Sequence, residues 1–420
     1  MFSSRLSWDQ SHNPLTVALQ ARPAAAPPPL DLTVGNPTQA LPQLYDDELA
    51  RALAVLGDPA GLRYEPTPRG LPTCRAAIAD YYRGRGLAID PEQLVLCAST
   101  SEAYSWLFQL LCDPGDAVLF PQPSYPLIDY LARLSAVQVI PYALRDCVDH
   151  FALSADELSA ANAAASGRAR ALITVSPNNP TGSVLRRAEL ALLRRHCAQA
   201  GLALIVDEVF SDYLLPSLAP ASASQMPADR LVPSVLGEPA SDDAQPLTFV
   251  LSGLSKVLGL PQLKLGWIHV SGPEPLRSQA QDRLELVADT FLSVSTPVQL
   301  AAPALLAQQP RIRTALLAHV ADNLQTLRQT LAGSAVSPLP VEAGWYCILR
   351  LPAVLSEDEW TVRLLREDDV LVHPGYFFDL CQPGKAFIVM SLLAPSDIFR
   401  RGLARLRDRV AHVLHSAHDS

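Results

Sequence analysis

The chain has 420 residues, 49% of them apolar, and a formal net charge of −9 at pH 7, which predicts a globular protein large enough for two domains. The charged residues are scattered along the sequence, and no run of Lys and Arg could follow a phosphate backbone. We therefore do not expect a nucleic acid as a partner. No stretch of about 18 apolar residues and no signal peptide is recognisable, so we expect neither a membrane span nor export.

The number and spacing of the cysteines indicate a reducing compartment. There are seven, an odd number, and they are widely spaced without a C-x-x-C pair. This pattern predicts neither a disulfide framework nor a zinc site. We therefore expect a cytoplasmic protein.

Residues 1–45 are predicted to form an N-terminal arm, because they contain a proline-rich stretch and a turn-rich stretch and cannot fold alone. From Tyr45 onward, short apolar runs alternate with helical patterns. Continuous apolar runs are typical of strands that are covered on both faces of a parallel sheet. We predict an α/β domain over residues 46–285 with strands at 117–120, 171–176, 202–208, 248–254 and 266–272.

One internal segment and the C-terminal part of the chain do not show this alternation. Residues 215–245 are rich in Pro, Ala, Ser and Asp without periodicity, which predicts a long surface loop. Helical patterns over 275–331 precede two strand candidates, at 346–352 and 387–393, and a closing helix from Ser396 to His415. This order is typical of a smaller α+β domain, which we place at residues 286–420.

A lysine follows directly after one of the predicted strands. The run LSGLSKVLGLPQLKLGW (251–267) places Lys256 beside Ser255 on a turn, with Lys264 eight residues later. Only one other lysine occurs in the chain, Lys385, so most positive charges are arginine. A partly desolvated lysine near a second cation can populate the neutral amine that forms a Schiff base.

This run resembles the S-x-S-K-x-x-G-L-P-G-x-R-x-G pattern of the aspartate aminotransferase superfamily, which are fold-type-I enzymes that depend on pyridoxal 5′-phosphate. The resemblance extends in order from about Thr33 to the last helix. It implies a seven-stranded, mostly parallel sheet between helices, a smaller C-terminal domain, and a cofactor aldimine on Lys256.

The same resemblance assigns roles to further motifs. Each motif alone is also compatible with a helix cap, a turn or simple packing. The resemblance implies catalytic roles for Lys256, Asp207, Asn179 and Tyr125, and cofactor contacts from Ser99, Thr100, Ser101, Ser255 and Lys264 as well. The motifs are ASTSEAYSW (98–106), PSYP (123–126), SPNNPTG (176–182) and VDEVF (206–210).

The resemblance also implies roles for a residue at a subunit interface and for a backbone segment at the substrate site. In RYEPTPRGLP (63–72), Tyr64 corresponds to the tyrosine that reaches the partner's phosphate site across a homodimer interface. The backbone around Gly35, in the VGNPT turn, is expected to contact substrate.

Three positions depart from the family pattern. Lys264 replaces the phosphate-binding arginine, Phe210 replaces a tyrosine near the 3′ oxygen of the cofactor, and Val389 replaces the arginine that grips the substrate carboxylate. We expect another cation, Lys385 or Arg350, to replace that arginine, or a substrate without a conventionally placed carboxylate.

Taken together, these features predict a ping-pong aminotransferase that moves an amino group from an amino donor to a 2-oxo acid. Two alternatives stay open at this point. The same cofactor could serve a lyase or a cyclising synthase, or the chain could be a non-catalytic regulator. The sequence does not predict the identity of the substrate.

Overall fold

The structure, a computed structural model, describes residues 2–9, 11–147, 150–215, 231–238, 245–380 and 382–418. Most of the predicted surface loop at 215–245 lies outside these ranges, as does Cys381. Within the described residues, no helix combines the length and the apolar character needed to cross a bilayer.

The helices of the described ranges are numbered in chain order. They are α1 (Pro14–Gln20), α2 (Pro37–Ala40), α3 (Asp47–Ala54), α4 (Pro72–Gly84), α5 (Thr100–Leu111), α6 (Leu127–Leu134), α7 (Ala155–Ala164), α8 (Arg187–Ala200), α9 (Leu254–Val257), α10 (Leu276–Phe291), α11 (Thr296–Leu306), α12 (Gln309–Leu331), α13 (Glu357–Asp368) and α14 (Ser396–His418).

The strands fall into two larger sheets and two short pairs. They are β1 (Leu30–Asp31), β2 (Leu94–Cys97), β3 (Ala117–Gln122), β4 (Gln138–Ala143), β5 (Arg145–Asp146), β6 (Phe151–Ala152), β7 (Ala169–Val175), β8 (Ala203–Asp207), β9 (Thr248–Gly253), β10 (Gly266–Ser271), β11 (Ser337–Pro338), β12 (Tyr346–Leu351), β13 (Val370–Leu371), β14 (His373–Pro374) and β15 (Ala386–Ser391).

The larger sheet has seven strands in the order β2-β10-β9-β8-β7-β3-β4. Only β10 runs antiparallel to its neighbours, β2 and β9, and the other strands share one direction. Successive side chains of one strand point to opposite faces. Ile205 accordingly packs into the apolar cluster on one face, whereas Leu204 and Val206 pack into the cluster on the other. The predicted α/β fold with a mostly parallel seven-stranded sheet is confirmed.

The second sheet has four strands in the order β11-β12-β15-β14 and is antiparallel. Helix α13 packs against β14 and β15 of this sheet, and α14 contacts α12 and α13. The N-terminal segment joins this part of the molecule, because β1 pairs with β13 and α1 packs against α13. The N-terminal segment therefore contacts the rest of the chain through α1 and β1, while much of its surface stays exposed.

Candidate active site

A cavity of about 230 Å³ opens where β7, β8 and β9 end. Open α/β sheets form ligand sites in this position, outside the carboxyl ends of their strands. The motifs predicted from the sequence meet here. The lining includes Ser99, Thr100, Ser101, Tyr125, Asn179, Asp207, Ser255 and Lys256.

Lys256 lies on α9, the single helical turn that follows β9. Its amine stands 4.9 Å from the centre of the Trp345 ring and 5.3 Å from that of Phe210. Burial lowers the pKa of Lys256 to about 8, although the charge of Asp207 opposes the change. The Tyr213 hydroxyl donates to the Lys256 carbonyl at 2.6 Å and anchors this turn. A neutral, nucleophilic amine is therefore accessible near physiological pH.

Asp207 ends β8, and its carboxylate is buried within the cavity wall. It accepts hydrogen bonds from the Tyr104 hydroxyl at 3.0 Å and from the Val209 amide at 3.1 Å. Burial raises the pKa of Asp207 to about 6, while these two bonds and Lys256 favour the ionised form. The group is a carboxylate at neutral pH, and it is placed to pair with a cationic ligand atom.

The N-terminus of α5 faces the cavity with three hydroxyl groups. Ser99 is the N-cap and accepts a hydrogen bond from the Glu102 amide at 3.2 Å. Glu102 in turn accepts from the Ala98 amide at 2.6 Å, which fixes the first turn. Helix N-termini with free N–H groups bind anions. Thr100, Ser101 and the N–H groups of this turn can therefore receive a phosphate.

The Asn-Pro-Thr-Gly string forms a tight loop after β7. The side chain of Asn178 accepts from the Thr181 hydroxyl at 2.9 Å, and the Gly182 amide donates to the Asn178 carbonyl at 2.8 Å. Gly182 has φ +68°, and a Cβ there would lie 2.6 Å from the Ala343 carbonyl. This packing directs Asn179 into the cavity. Its Oδ1 is buried and has no hydrogen-bond partner among the described residues.

The outer end of the cavity lies between α6 and the four-stranded sheet. Tyr125 and Tyr346 both line it, and each ring lies near Phe378, with centroid distances of 6.5 and 6.3 Å. Gly35 packs directly against Tyr346 at this end of the cavity, because a Cβ atom on Gly35 would overlap the Tyr346 hydroxyl. Only a glycine allows the VGNPT turn to approach so closely.

Four predicted residues lie outside the cavity lining, and one of these, Gly35, packs against Tyr346 at its outer end. Lys264 is exposed with φ +54°, and Tyr64 is 80% exposed. Lys385 donates to the Gln382 side chain at 2.6 Å. Their predicted contacts with phosphate or substrate therefore stay predictions.

The predicted replacements for the missing arginine are directed elsewhere. Arg350 donates to Asp146 at 3.0 Å, and the Lys385 amine lies 4.0 Å from the same carboxylate. Val389 is fully buried in an apolar cluster that also contains Phe378.

Sequence reasoning missed several residues of this site. Tyr104 was recognisable, because it follows Ser101 by three positions and so shares its helix face. Ser124 stands in the same PSYP string as the predicted Tyr125, but no role was predicted for it. Trp345 and Tyr346 come from a segment more than 80 positions after Lys256, and only the fold brings them to the cavity.

Comparison with known proteins agrees with this geometry. Residues 27–395 match the family "Aminotransferase class I and II". The chain is 25% identical over 381 residues to the glutamate-pyruvate aminotransferase AlaA of Haemophilus influenzae, covering 86% of this chain and 85% of that protein. It is 27% identical over 339 residues to a 1-aminocyclopropane-1-carboxylate synthase of Malus domestica, covering 75% and 67%.

Solved structures share the fold at lower identity. The alanine aminotransferase of Pyrococcus furiosus superposes with a TM-score of 0.82 at 21% identity, covering 98% of this chain and all of that one. A mutant aspartate aminotransferase of Thermus thermophilus gives 0.78 at 23%, covering 98% and 99%. The family match spans most of the sequence, and the cavity has the residues that the motifs predict. This chain is therefore an enzyme of the class I and II aminotransferase family.

Proposed function

We propose that this enzyme binds pyridoxal 5′-phosphate on Lys256 and transfers an amino group from an amino donor to a 2-oxo acid. One observation carries the proposal. The Lys256 amine, with its pKa lowered to about 8, shares a cavity with the buried Asp207 carboxylate. A lysine that is neutral near pH 8 beside a fixed negative charge suits a carbonyl cofactor with a basic ring nitrogen.

The residues present fit such a cofactor at each of its polar groups. The N-terminus of α5 and its hydroxyls would hold the phosphate, and Lys256 would bind the aldehyde. Asp207 would hold the ring nitrogen protonated, and the unpartnered Asn179 side chain would meet the ring oxygen. Tyr125 would lie against the ring. When bound, pyridoxal phosphate supplies an aldehyde that accepts the amino group and a ring that stabilises the electron pair of the reacting carbon.

The chain's own groups then act on the substrate. The neutral Lys256 amine is the base that takes the proton from the α-carbon of the donor. The carboxylate of Asp207 stays ionised through its bonds to Tyr104 and Val209. The rings of Trp345 and Phe210 lie beside the lysine amine, with their centres 4.9 and 5.3 Å from it. We propose a ping-pong order, with donor and acceptor using this cavity in turn.

The amount of product formed without an acceptor tests this function. Purified holoenzyme given an amino donor alone should release one carbonyl product per site and stop, because the amino group stays on the enzyme. Adding a 2-oxo acid should restart turnover. Lys256→Ala should show neither step. Failure of every donor tried to give a single equivalent contradicts amino transfer.

A second candidate is a lyase or a cyclising synthase with the same cofactor. The similarity to the 1-aminocyclopropane-1-carboxylate synthase of Malus domestica supports it. The same experiment separates the two, since a lyase or synthase continues to form product from one substrate alone.

We also propose that the enzyme is a cytoplasmic homodimer in which Tyr64 reaches the partner's cavity. Tyr64 and the neighbouring Leu62 are 80% and 89% exposed. Large side chains with this exposure on one loop are typical of a surface that is covered in an assembly.

A further inference from the structure

Three buried aromatic side chains pack against one another beside Lys256. Phe210 and Tyr213 follow β8, and Trp345 directly precedes β12. The centre of the Trp345 ring lies 5.2 Å from that of Phe210 and 4.8 Å from that of Tyr213, in edge-to-face geometry. Aromatic pairs favour this geometry. The three rings therefore hold one another in place.

Lys256 contacts this aromatic cluster with both its backbone and its amine. The Tyr213 hydroxyl donates to the Lys256 carbonyl at 2.6 Å. The amine lies over the rings of Trp345 and Phe210, 4.9 and 5.3 Å from their centres. An ammonium within about 6 Å of a ring centre is attracted by the negative face of the ring. Both rings therefore favour the charged form of the amine.

The other groups around the amine include one opposite charge. The titratable side chains of the described cavity lining are Asp207, Lys256, Tyr104, Tyr125 and Tyr346. The charge of Asp207 raises the pKa of the lysine, whereas burial lowers it to about 8. Among the described residues, no side chain hydrogen-bonds to the amine. Ring faces are thus its nearest attractive contacts apart from the carboxylate.

We propose that Trp345 and Phe210 hold the Lys256 amine by cation–π contacts, and that these contacts help it to keep a proton in a site that disfavours the charge. Trp345 is then a positioning residue for Lys256. The catalytic meaning of this inference rests on the proposed function, because the fraction of neutral amine at a given pH limits how much of it can act as nucleophile and base.

The protonation of Lys256 in ring variants tests this inference. Competitive labelling of the cofactor-free, full-length protein with a trace amine reagent gives the midpoint pH of the amine. Trp345→Leu removes a ring face but keeps an apolar side chain, so the midpoint should fall by about one pH unit. Trp345→Phe keeps a ring face and should stay near the wild-type value. An unchanged or raised midpoint in Trp345→Leu overturns the proposal, because the ring would then act only through packing or desolvation.

A second variant covers the case in which Trp345→Leu does not fold, as judged by circular dichroism. Phe210→Leu loses little volume and removes the other ring face, so its midpoint should also fall. A midpoint that stays or rises in this variant overturns the proposal as well.

The matched control is Trp360→Leu. Trp360 is fully buried on α13 and lies outside the cavity lining, so the midpoint of Lys256 should not change. A fall equal to that in Trp345→Leu would show a general effect of losing a buried ring and would overturn the proposal. The labelling uses neither cofactor nor substrate. Its failure is therefore distinguishable from a failure of amino transfer.

Discussion

At the scale of single residues, burial rather than a particular neighbour determines the chemistry of Lys256. The opposite charge of Asp207 acts to raise the pKa of the lysine, yet desolvation outweighs it and leaves a value of about 8. The protonated form therefore predominates below pH 8 and the neutral amine above it. Reactivity should rise with pH across this value.

This increase in the reactivity of Lys256 with pH can be measured on the cofactor-free protein. Competitive labelling with a trace amine reagent, followed by peptide mass spectrometry, should show the labelling of Lys256 rising with a midpoint near pH 8. The chain contains three lysines, so the labelled peptides are readily separated. A midpoint near the value of about 10.4 for an unperturbed lysine would show that the amine is solvated.

Tyr104 is expected to hold Asp207 in its ionised form. Tyr104→Phe removes a hydrogen bond to a buried carboxylate, so the free energy of unfolding should fall by about 1.5–3 kcal/mol. The pKa of Asp207 should rise above its value of about 6, because the lost bond favours the charged form. The acid limb of the pH–rate profile should then move to higher pH.

The control for Tyr104→Phe is Tyr130→Phe, since Tyr130 is half exposed on α6. It should change neither unfolding nor the pH–rate profile. An acid limb that does not move in Tyr104→Phe would mean that this bond does not stabilise the carboxylate.

Residues with a local motif could be predicted from the sequence, and residues held by distant contacts could not. Asn179 and Lys256 each belong to a recognisable string directly after a strand, and both line the cavity. Trp345, by contrast, has its ring centre 4.9 Å from the Lys256 amine although the two residues are far apart in the sequence. No spacing in the sequence contains that information.

At the scale of elements, one connection joins the two larger sheets beside the site. Leu214 bridges Ala343, and the Gly344 amide donates to the Tyr213 carbonyl at 2.9 Å. Because Trp345 and Tyr346 follow directly, this connection positions them over Lys256.

Glu342 strengthens this connection through a nearly buried ion pair. It accepts from Arg186 at 2.6 Å and from the Val184 amide at 3.0 Å. Glu342→Gln should lower the free energy of unfolding by about 2–3 kcal/mol, somewhat less than the loss expected from a fully buried pair. Urea unfolding measures this change.

The comparison variant for Glu342→Gln is Glu157→Gln, whose partner Arg145 is exposed. Exposed pairs contribute less than about 1 kcal/mol. Equal losses in the two variants would mean that the connection does not depend on Glu342.

The strands were predictable to within a few residues, because their apolar runs are continuous. The direction of β10 was not, since continuous burial looks alike in parallel and antiparallel strands. The strand β4 was missed as well. It lies at the edge of the sheet, and Pro141, which cannot donate a hydrogen bond to a neighbouring strand, interrupts its apolar residues.

At the scale of the whole molecule, the proposed homodimer makes each cavity depend on both chains. Lys256→Ala retains Tyr64 but has no reacting amine. Tyr64→Phe retains the reacting amine of Lys256 but lacks the tyrosine hydroxyl. When the two variants are mixed and allowed to exchange subunits, hybrid dimers should contain one intact cavity. The activity of the mixture should exceed the sum of the separate activities. A strictly additive result would show that Tyr64 acts within its own chain or not at all.

The covalent site of the cofactor tests the central claim most directly. The holoenzyme is reduced with borohydride, digested, and analysed by peptide mass spectrometry for the mass of the reduced pyridoxyl group. The structure predicts that this group is on Lys256, and that Lys256→Ala carries none. Its recovery on Lys264 or Lys385, or the absence of any modified lysine in a preparation that performs amino transfer, would contradict the assignment of Lys256.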